Sequence, residues 1–269
     1  KGQAFDACML PPLDKMQAWW NESPYQAYGL YLGGISYATG CTLPTPSWVA
    51  AASQQGWQFM PIWVGPQAPC YGYRNPMSYD PAVAYQQGRS EAVLAATAAL
   101  NLGLADQDLS GTLIYYNLEA YGTTPTTACQ AAVEAFINGW TERLHELGNS
   151  AGVYAAACAS HPTDLATLPN TPEYLWVAAY YTTSYDANAS VFGMPCLSDS
   201  LWSNHQRIRQ YAGGHEETWG GAKLLIDSNV IDGAVLEPTL ATRPAPVEED
   251  AGTAPLLASS TASIQDTGW

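Results

Sequence analysis

An α/β fold of the (β/α)8, TIM-like barrel type is what this sequence of 269 residues predicts. Three observations carry the expectation. Eight short apolar runs alternate mostly with helix-like stretches, a pattern that calls for parallel strands joined by crossover helices. The length suits a single barrel of roughly 250 residues. Neither a G-x-G-x-x-G nor a G-x-x-x-x-G-K-[ST] signature follows the first strand, which places the doubly wound open sheet second.

The elements follow in order. Residues 3–8 read as the first strand and 13–20 as a helix. Residues 27–34 form a second strand that ends in Gly33 and Gly34. Residues 46–55 read as a helix, with Pro46 at a favoured first-turn position and Gly56 as its stop. The third strand is expected over 57–65. An Ala-rich helix over 79–102 is stopped by Gly103, the fourth strand spans 112–120, and a long helix over 127–147 is stopped by Gly148. A fifth strand over 150–156 precedes a short helix near 162–167, and a sixth strand covers 174–181. The stretch after it, with Pro195 and Cys196, is loop-rich, so the late helices are expected to be irregular. Residues 208–212 and 223–227 read as strands seven and eight. After about Leu240 the composition turns to Pro, Ala, Ser and Thr without a hydrophobic period. A barrel domain over 1–240 and a linker or tail over 241–269 are therefore expected.

Composition narrows the function. Apolar residues make up 47% and charged residues 12%; the latter is about half the usual share, which argues against coiled coil and acidic disorder. A net charge of −15 repels phosphate backbones and anionic membranes, so nucleic acid is not an expected partner. No apolar run reaches the roughly 20 residues of a membrane span. Ten Trp and 17 Tyr stand against four Phe, and flat rings with polar tips suit sugar surfaces as well as cores. The six cysteines are Cys8, Cys41, Cys70, Cys129, Cys158 and Cys196. Their even count and wide spacing read as three disulfides in a secreted, extracellular protein, with the pairing left open. No Cys/His cluster has zinc spacing, so neither a metal nor another cofactor is expected.

In a barrel, chemistry gathers at the C-terminal ends of the strands. Polar residues expected there are Asp6 on strand one, Asn117 and Glu119 on one face of strand four, and Asp227 at the end of strand eight. Tyr116 and Leu118 then face the helices. Tyr31, Trp63, Tyr180 and Gln210 complete the rim as candidate substrate-binding residues. Carboxylates among aromatics suit glycosidic cleavage, in which one carboxyl protonates the leaving oxygen and another stabilises or attacks the sugar carbon. Each residue also has a plainer reading. Asp6 could bond backbone amides, Asp227 could cap residues 228–230, and each aromatic could be core. The four histidines read as solvated. No G-x-S-x-G supports a serine nucleophile.

The motifs Phe5-Asp6-Ala7-Cys8, Tyr31-Leu32-Gly33-Gly34, Gly56-Trp57-Gln58-Phe59-Met60-Pro61, Val64-Gly65-Pro66-Gln67, Ile114-Tyr115-Tyr116-Asn117-Leu118-Glu119-Ala120-Tyr121, Gly152-Val153-Tyr154 and Arg209-Gln210-Tyr211 before Ile226-Asp227 occur in that order. Over roughly residues 3 to 236 the chain resembles a secreted bacterial family described as glycoside hydrolase-like, itself similar to TIM-barrel lysozymes. The resemblance implies a barrel, secretion, and a cell-wall or other extracellular polysaccharide or oligosaccharide as substrate. It implies Glu119 as general acid/base, Asp6 as nucleophile or water-activating base, and Asp227 as the strand-eight acid. The related lysozymes carry an Asp two residues before that Glu, where this chain has Asn117. A neutral Asn can orient a group but cannot share charge, so two other readings stand beside the hydrolase. One is a degenerate barrel that binds glycan without turnover; the other is an interaction module delivered by the tail.

Overall fold

The computed structural model describes residues 1–237; the tail expected over 241–269 lies outside them. Helix starts follow local chemistry. Helix α1 is Leu13–Glu22, α2 Pro46–Gln55, α3 Pro81–Asn101, α4 Thr127–Glu146, and α5 a single turn at Pro162–Leu165. Thr45, Asp80 and Thr126 each accept a backbone N–H at the start of α2, α3 and α4, meeting donors that a first turn leaves free. Helices α3 and α4 cross closely because Gly88 and Gly139 carry no Cβ. One built there would lie 2.0 Å from the Phe136 carbonyl oxygen or 2.2 Å from that of Tyr85.

The strands are β1 Gly2–Asp6, β2 Tyr25–Gly33, β3 Gln58–Trp63, β4 Leu113–Leu118, β5 Ser150–Ala156, β6 Tyr174–Ala178, β7 Arg207–Trp219 and β8 Ala222–Asp232. They close into a barrel in sequence order. Pairing is parallel from β1 through β7, whereas β8 is antiparallel to both β7 and β1. This corrects two expectations. The seventh and eighth strands are far longer than 208–212 and 223–227, and the eighth is not parallel. Residues 213–219 are polar enough to read as loop, yet they alternate between half-buried and exposed as one ribbon of a hairpin does. Gly220 and Gly221 are the only residues between the two strands. So short a link makes a hairpin and cannot make a parallel crossover.

Alternation along the strands sorts two cores. Inside the barrel lie Ala27, Met60, Ile62, Tyr115, Trp176 and Ile208 with their neighbours. Between barrel and helices lie Phe5, Trp19, Trp57, Tyr116, Phe136 and Trp140 among others. Tyr116 packs on Phe136 and Trp140 of α4, on the face the sequence reading gave it.

No long helix covers the barrel between β6 and β7. Two arginines at the start of β7 organise that stretch instead. Arg207 is fully buried, and its guanidinium donates to the carbonyls of Val191 (3.2 Å), Ser198 and Leu201, with Phe192 stacked over it. Arg209 donates to the carbonyls of Ala179 (2.9 Å) and Ser190 (3.2 Å) and lies under the Tyr181 ring. Removing such a donor orphans several carbonyls, each worth about 1–3 kcal/mol when left unpaired and buried. Arg207→Leu should therefore lower unfolding stability by at least about 3 kcal/mol in urea titration. A loss below about 1 kcal/mol would mean that the loop stands without it.

The cysteines pair as Cys8–Cys41, Cys70–Cys129 and Cys158–Cys196. Each bridge ties a loop that follows a strand to a neighbouring segment, so all three lie at the C-terminal end of the parallel strands. Three disulfides fit an oxidising compartment. Among the described residues no helix is long and apolar enough to cross a membrane.

Candidate active site

The inward face of β1 ends in Asp6, which is 1% exposed. Its Oδ2 accepts from Gln210 Nε2 and Asn229 Nδ2, each at 2.8 Å, and its Oδ1 accepts from the Tyr31 hydroxyl at 3.4 Å. Gly29 on β2 makes room. A Cβ there would lie 2.5 Å from Asp6 Cβ and 2.8 Å from the Trp176 ring.

Asp227 stands opposite Asp6 in the β1–β8 register. It lies in the middle of β8 rather than at a strand end, a correction to the sequence reading. The antiparallel direction of β8 still brings it level with the C-terminal end of β1. Gln210 Nε2 reaches Asp227 Oδ2 at 3.3 Å, and the Gly214 N–H donates to its Oδ1. Burial, with the Asp227 charge behind it, pushes the Asp6 carboxyl up to about 8. Burial raises Asp227 as well. Two aspartates that meet on one amide nitrogen share a proton, because the second negative charge would sit beside the first.

The amides around the pair are fixed from behind. Trp176 Nε1 donates to Asn229 Oδ1 at 2.7 Å, which turns the Asn229 amide nitrogen toward Asp6. Tyr154 and Tyr180 donate to Gln210 Oε1 at 2.8 and 2.9 Å, which turns its amide nitrogen toward both aspartates. All the hydrogen-bonding capacity of Gln210 is then in use within the protein. It positions the carboxylates and has nothing left for a sugar, contrary to its expected place among substrate ligands.

Asn117 and Glu119 come from the end of β4. Asn117 is buried, and its Nδ2 donates to Glu119 Oε1 at 3.0 Å. Its Oδ1 is buried without a protein donor. The Glu119 side is exposed. Its backbone N–H is accepted by Gln67 Oε1 at 2.9 Å, while Gln67 Nε2 donates to the carbonyls of Asn117 (2.8 Å) and Gly65 (3.1 Å). Gln67 thus clamps the end of β4 to the end of β3.

Tyrosines join the two carboxylate groups. Burial raises the Tyr31 phenol well above its usual range, and the charges of Asp6, Asp227 and Glu119 add to this. Burial pushes the Tyr180 phenol up to about 12, with the same three charges contributing. Tyr154 is raised by burial and then by Tyr180, Asp6 and Glu119. This tyrosine cluster thus feels Asp6 and Glu119 together, and its phenols stay protonated donors.

Trp63 is not part of it. Ile62 is the inward residue at the end of β3, and Trp63 points to the helices, where its Nε1 donates to Glu91 Oε2 of α3 at 2.6 Å. Trp63→Phe should cost about 1–3 kcal/mol of stability in urea titration through the orphaned Glu91 carboxylate. Unchanged stability would mean that the Trp63–Glu91 bond holds nothing together. His215 also departs from expectation. It is largely buried, with Nε2 2.7 Å from Glu217 Oε1 and 3.2 Å from the Ser228 hydroxyl.

Sequence reasoning passed over Gln67, Tyr154 and Asn229. Tyr154 shares a face with Gly152 and was within reach of the alternation rule. Asn229 is two residues from Asp227 and would have been found had strand eight been run to Asp232. Gln67 lies in a loop, where no periodicity marks it.

A family model described as "Rv2525c-like, glycoside hydrolase-like domain" matches residues 17–231. The chain belongs to this family. The match takes in Glu119 and Asp227, and Asp6 lies ahead of it. No match was found among the curated proteins. Among solved structures, the chain is similar to an uncharacterized B. stearothermophilus protein at 16% identity, over 86% of this chain and 96% of that one, with a TM-score of 0.58. It is also similar to the modular autolysin LytC from Streptococcus pneumoniae at 14% identity and a TM-score of 0.51, over 85% of this chain and 46% of the autolysin. At such identities the likeness is one of fold. The Rv2525c-like domain described here is thus a glycoside hydrolase-like barrel with three disulfides.

Proposed function

We propose that this Rv2525c-like domain cleaves O-glycosidic bonds in a bacterial cell-wall or related extracellular polysaccharide. The observation that supports the reading most is the contrast between its acids: Glu119 is exposed at the end of β4, whereas Asp6 is buried at the end of β1 with a half-buried Asp227 opposite it. Glu119 protonates the leaving oxygen as the glycosidic bond breaks. The aspartate pair carries a single negative charge; in the reactive form the shared proton lies on Asp227, and ionised Asp6, as nucleophile or as base toward water, meets the positive character that develops at the sugar carbon. Glu119 then takes up a proton from the incoming water in a retaining cycle, or is re-protonated from solvent in an inverting one. Asn117 orients the acid, its Nδ2 donating to Glu119 Oε1 at 3.0 Å. Three disulfides favour a substrate outside the cytosol.

The second reading is a barrel that binds cell-wall glycan without turnover. Asn117 beside Glu119 and the proton held on Asp6 favour it. Reducing-end release from peptidoglycan strands, chitin oligomers and other bacterial polysaccharides decides between the two. Release supports the hydrolase. Saturable binding without release supports the binding module, and neither result on any glycan ends both readings.

A further inference from the structure

We infer that Tyr71 and Tyr73, on the loop between β3 and α3, form a stacking platform for the sugar on the leaving-group side of the cleaved bond. The inference rests on the hydrolase reading above and adds a direction to it. Tyr71 is 57% exposed, and its ring lies 5.5 Å from that of Tyr73 at an interplanar angle of 38°. Single exposed aromatics are ordinary on a surface. This pair differs in where it stands and in how firmly it is held.

The pair stands beside Glu119. The Tyr73 hydroxyl donates to the carbonyl of Ala120 at 2.6 Å, one residue past the acid. Burial pushes the Tyr73 phenol up to about 12, with the Glu119 charge adding to it. Tyr180, also 57% exposed, feels Asp227 and Asp6 ahead of Glu119 and is bonded through Gln210 to the aspartate wall. One aromatic group thus flanks the proposed proton donor and the other flanks the proposed nucleophile. The donor acts on the leaving oxygen, so a ring on its side belongs to the leaving sugar.

The loop is also built to stay in place. Cys70, next to Tyr71, is bridged to Cys129 in the first turn of α4. Gln67 exchanges backbone hydrogen bonds with Asn75 and Met77, at 2.9 and 2.8 Å, and Asn75 Nδ2 donates to the Ile35 carbonyl at 2.9 Å. A flat face held rigid costs little entropy when a pyranose ring settles on it.

The test compares two substrates of one enzyme. The first is the N-acetylglucosamine hexamer, or whichever glycan of the panel above the wild type cleaves fastest. The second is an aryl glycoside of the same sugar, whose leaving group is not a saccharide. In Tyr71→Ala, the loss of kcat/KM on the oligosaccharide should exceed that on the aryl glycoside by about tenfold, carried by KM. Tyr71→Trp, which keeps a flat face, should restore the oligosaccharide, and Tyr71→Leu should not. Equal losses on both substrates, or rescue by Leu, would overturn the platform while leaving the hydrolase reading intact. A wild type inert on every glycan would instead remove the reading on which the platform rests.

Discussion

Glu119→Gln should lower polysaccharide cleavage by about 10²–10⁴-fold, the range that one positioned acid/base group supplies. The substitution keeps the shape and the contact with Asn117 Nδ2 at 3.0 Å, since the Gln carbonyl can accept in place of Oε1. The backbone clamp from Gln67 does not involve the side chain and should hold. The fold and glycan affinity should therefore survive while the proton is lost. Leaving-group chemistry sharpens the result. An aryl glycoside with a good leaving group needs little protonation, so its cleavage should fall far less than that of the polysaccharide. Initial rates on the two substrates check this. Full activity of the variant on both would remove Glu119 from the reaction.

Asp6→Asn should abolish the proposed cleavage and stabilise the protein at the same time, with a pH signature. Burial, with the Asp227 charge beside it, pushes the Asp6 carboxyl up to about 8 in the folded chain from an ordinary value of 3.8. Below about pH 4 the group is protonated in both states and contributes nothing. Between there and pH 8 the unfolded chain has lost its proton and the folded chain still holds it. Unfolding then releases a proton, and wild-type stability falls as pH rises, by at most about 1.4 kcal/mol per pH unit. Asn removes the titration. Its carbonyl can accept from Gln210 and Asn229, and its NH2 can face the Tyr31 oxygen. The variant should match the wild type near pH 4 and melt progressively higher than it toward pH 8. Parallel melting profiles across that range would show that Asp6 is ionised in the fold.

Both predictions begin from residues that the sequence marks. A strand-end rule and a two-residue repeat were enough to bring Asp6, Asn117 and Glu119 forward, because each is polar within an apolar run. The same rule misplaced Trp63. When both faces of a strand are apolar, composition does not say which is inside, and Ile62 and Trp63 are equally good core residues. The β7–β8 hairpin was missed for the opposite reason. Its outer half is polar, and a ribbon that reaches past the barrel has no hydrophobic run to announce it. Gln210 stands out as a polar strand residue and Asn229 shares a face with Asp227, but their bonds to Asp6 span 204 and 223 residues, and such pairings leave no local trace. The arginines of β7 are similar, since their partners are carbonyls, which every residue carries.

The reversed last strand has a consequence for inheritance. Asp6 and Asp227 face each other because β8 runs antiparallel to β1 in the register that pairs Ala4 with Asn229 and Phe5 with Ser228. A slip of β8 by one residue against β1 would turn each of its side chains to the other face. Ser228 or Ile226 would then look inward, and the acid would be carried out toward the helices. Two irregularities of the ladder, between Gln210 and Ala212 and between Ala212 and His215, separate that couple from the hairpin tip, so the tip can change in length while the barrel end of β8 keeps its phase.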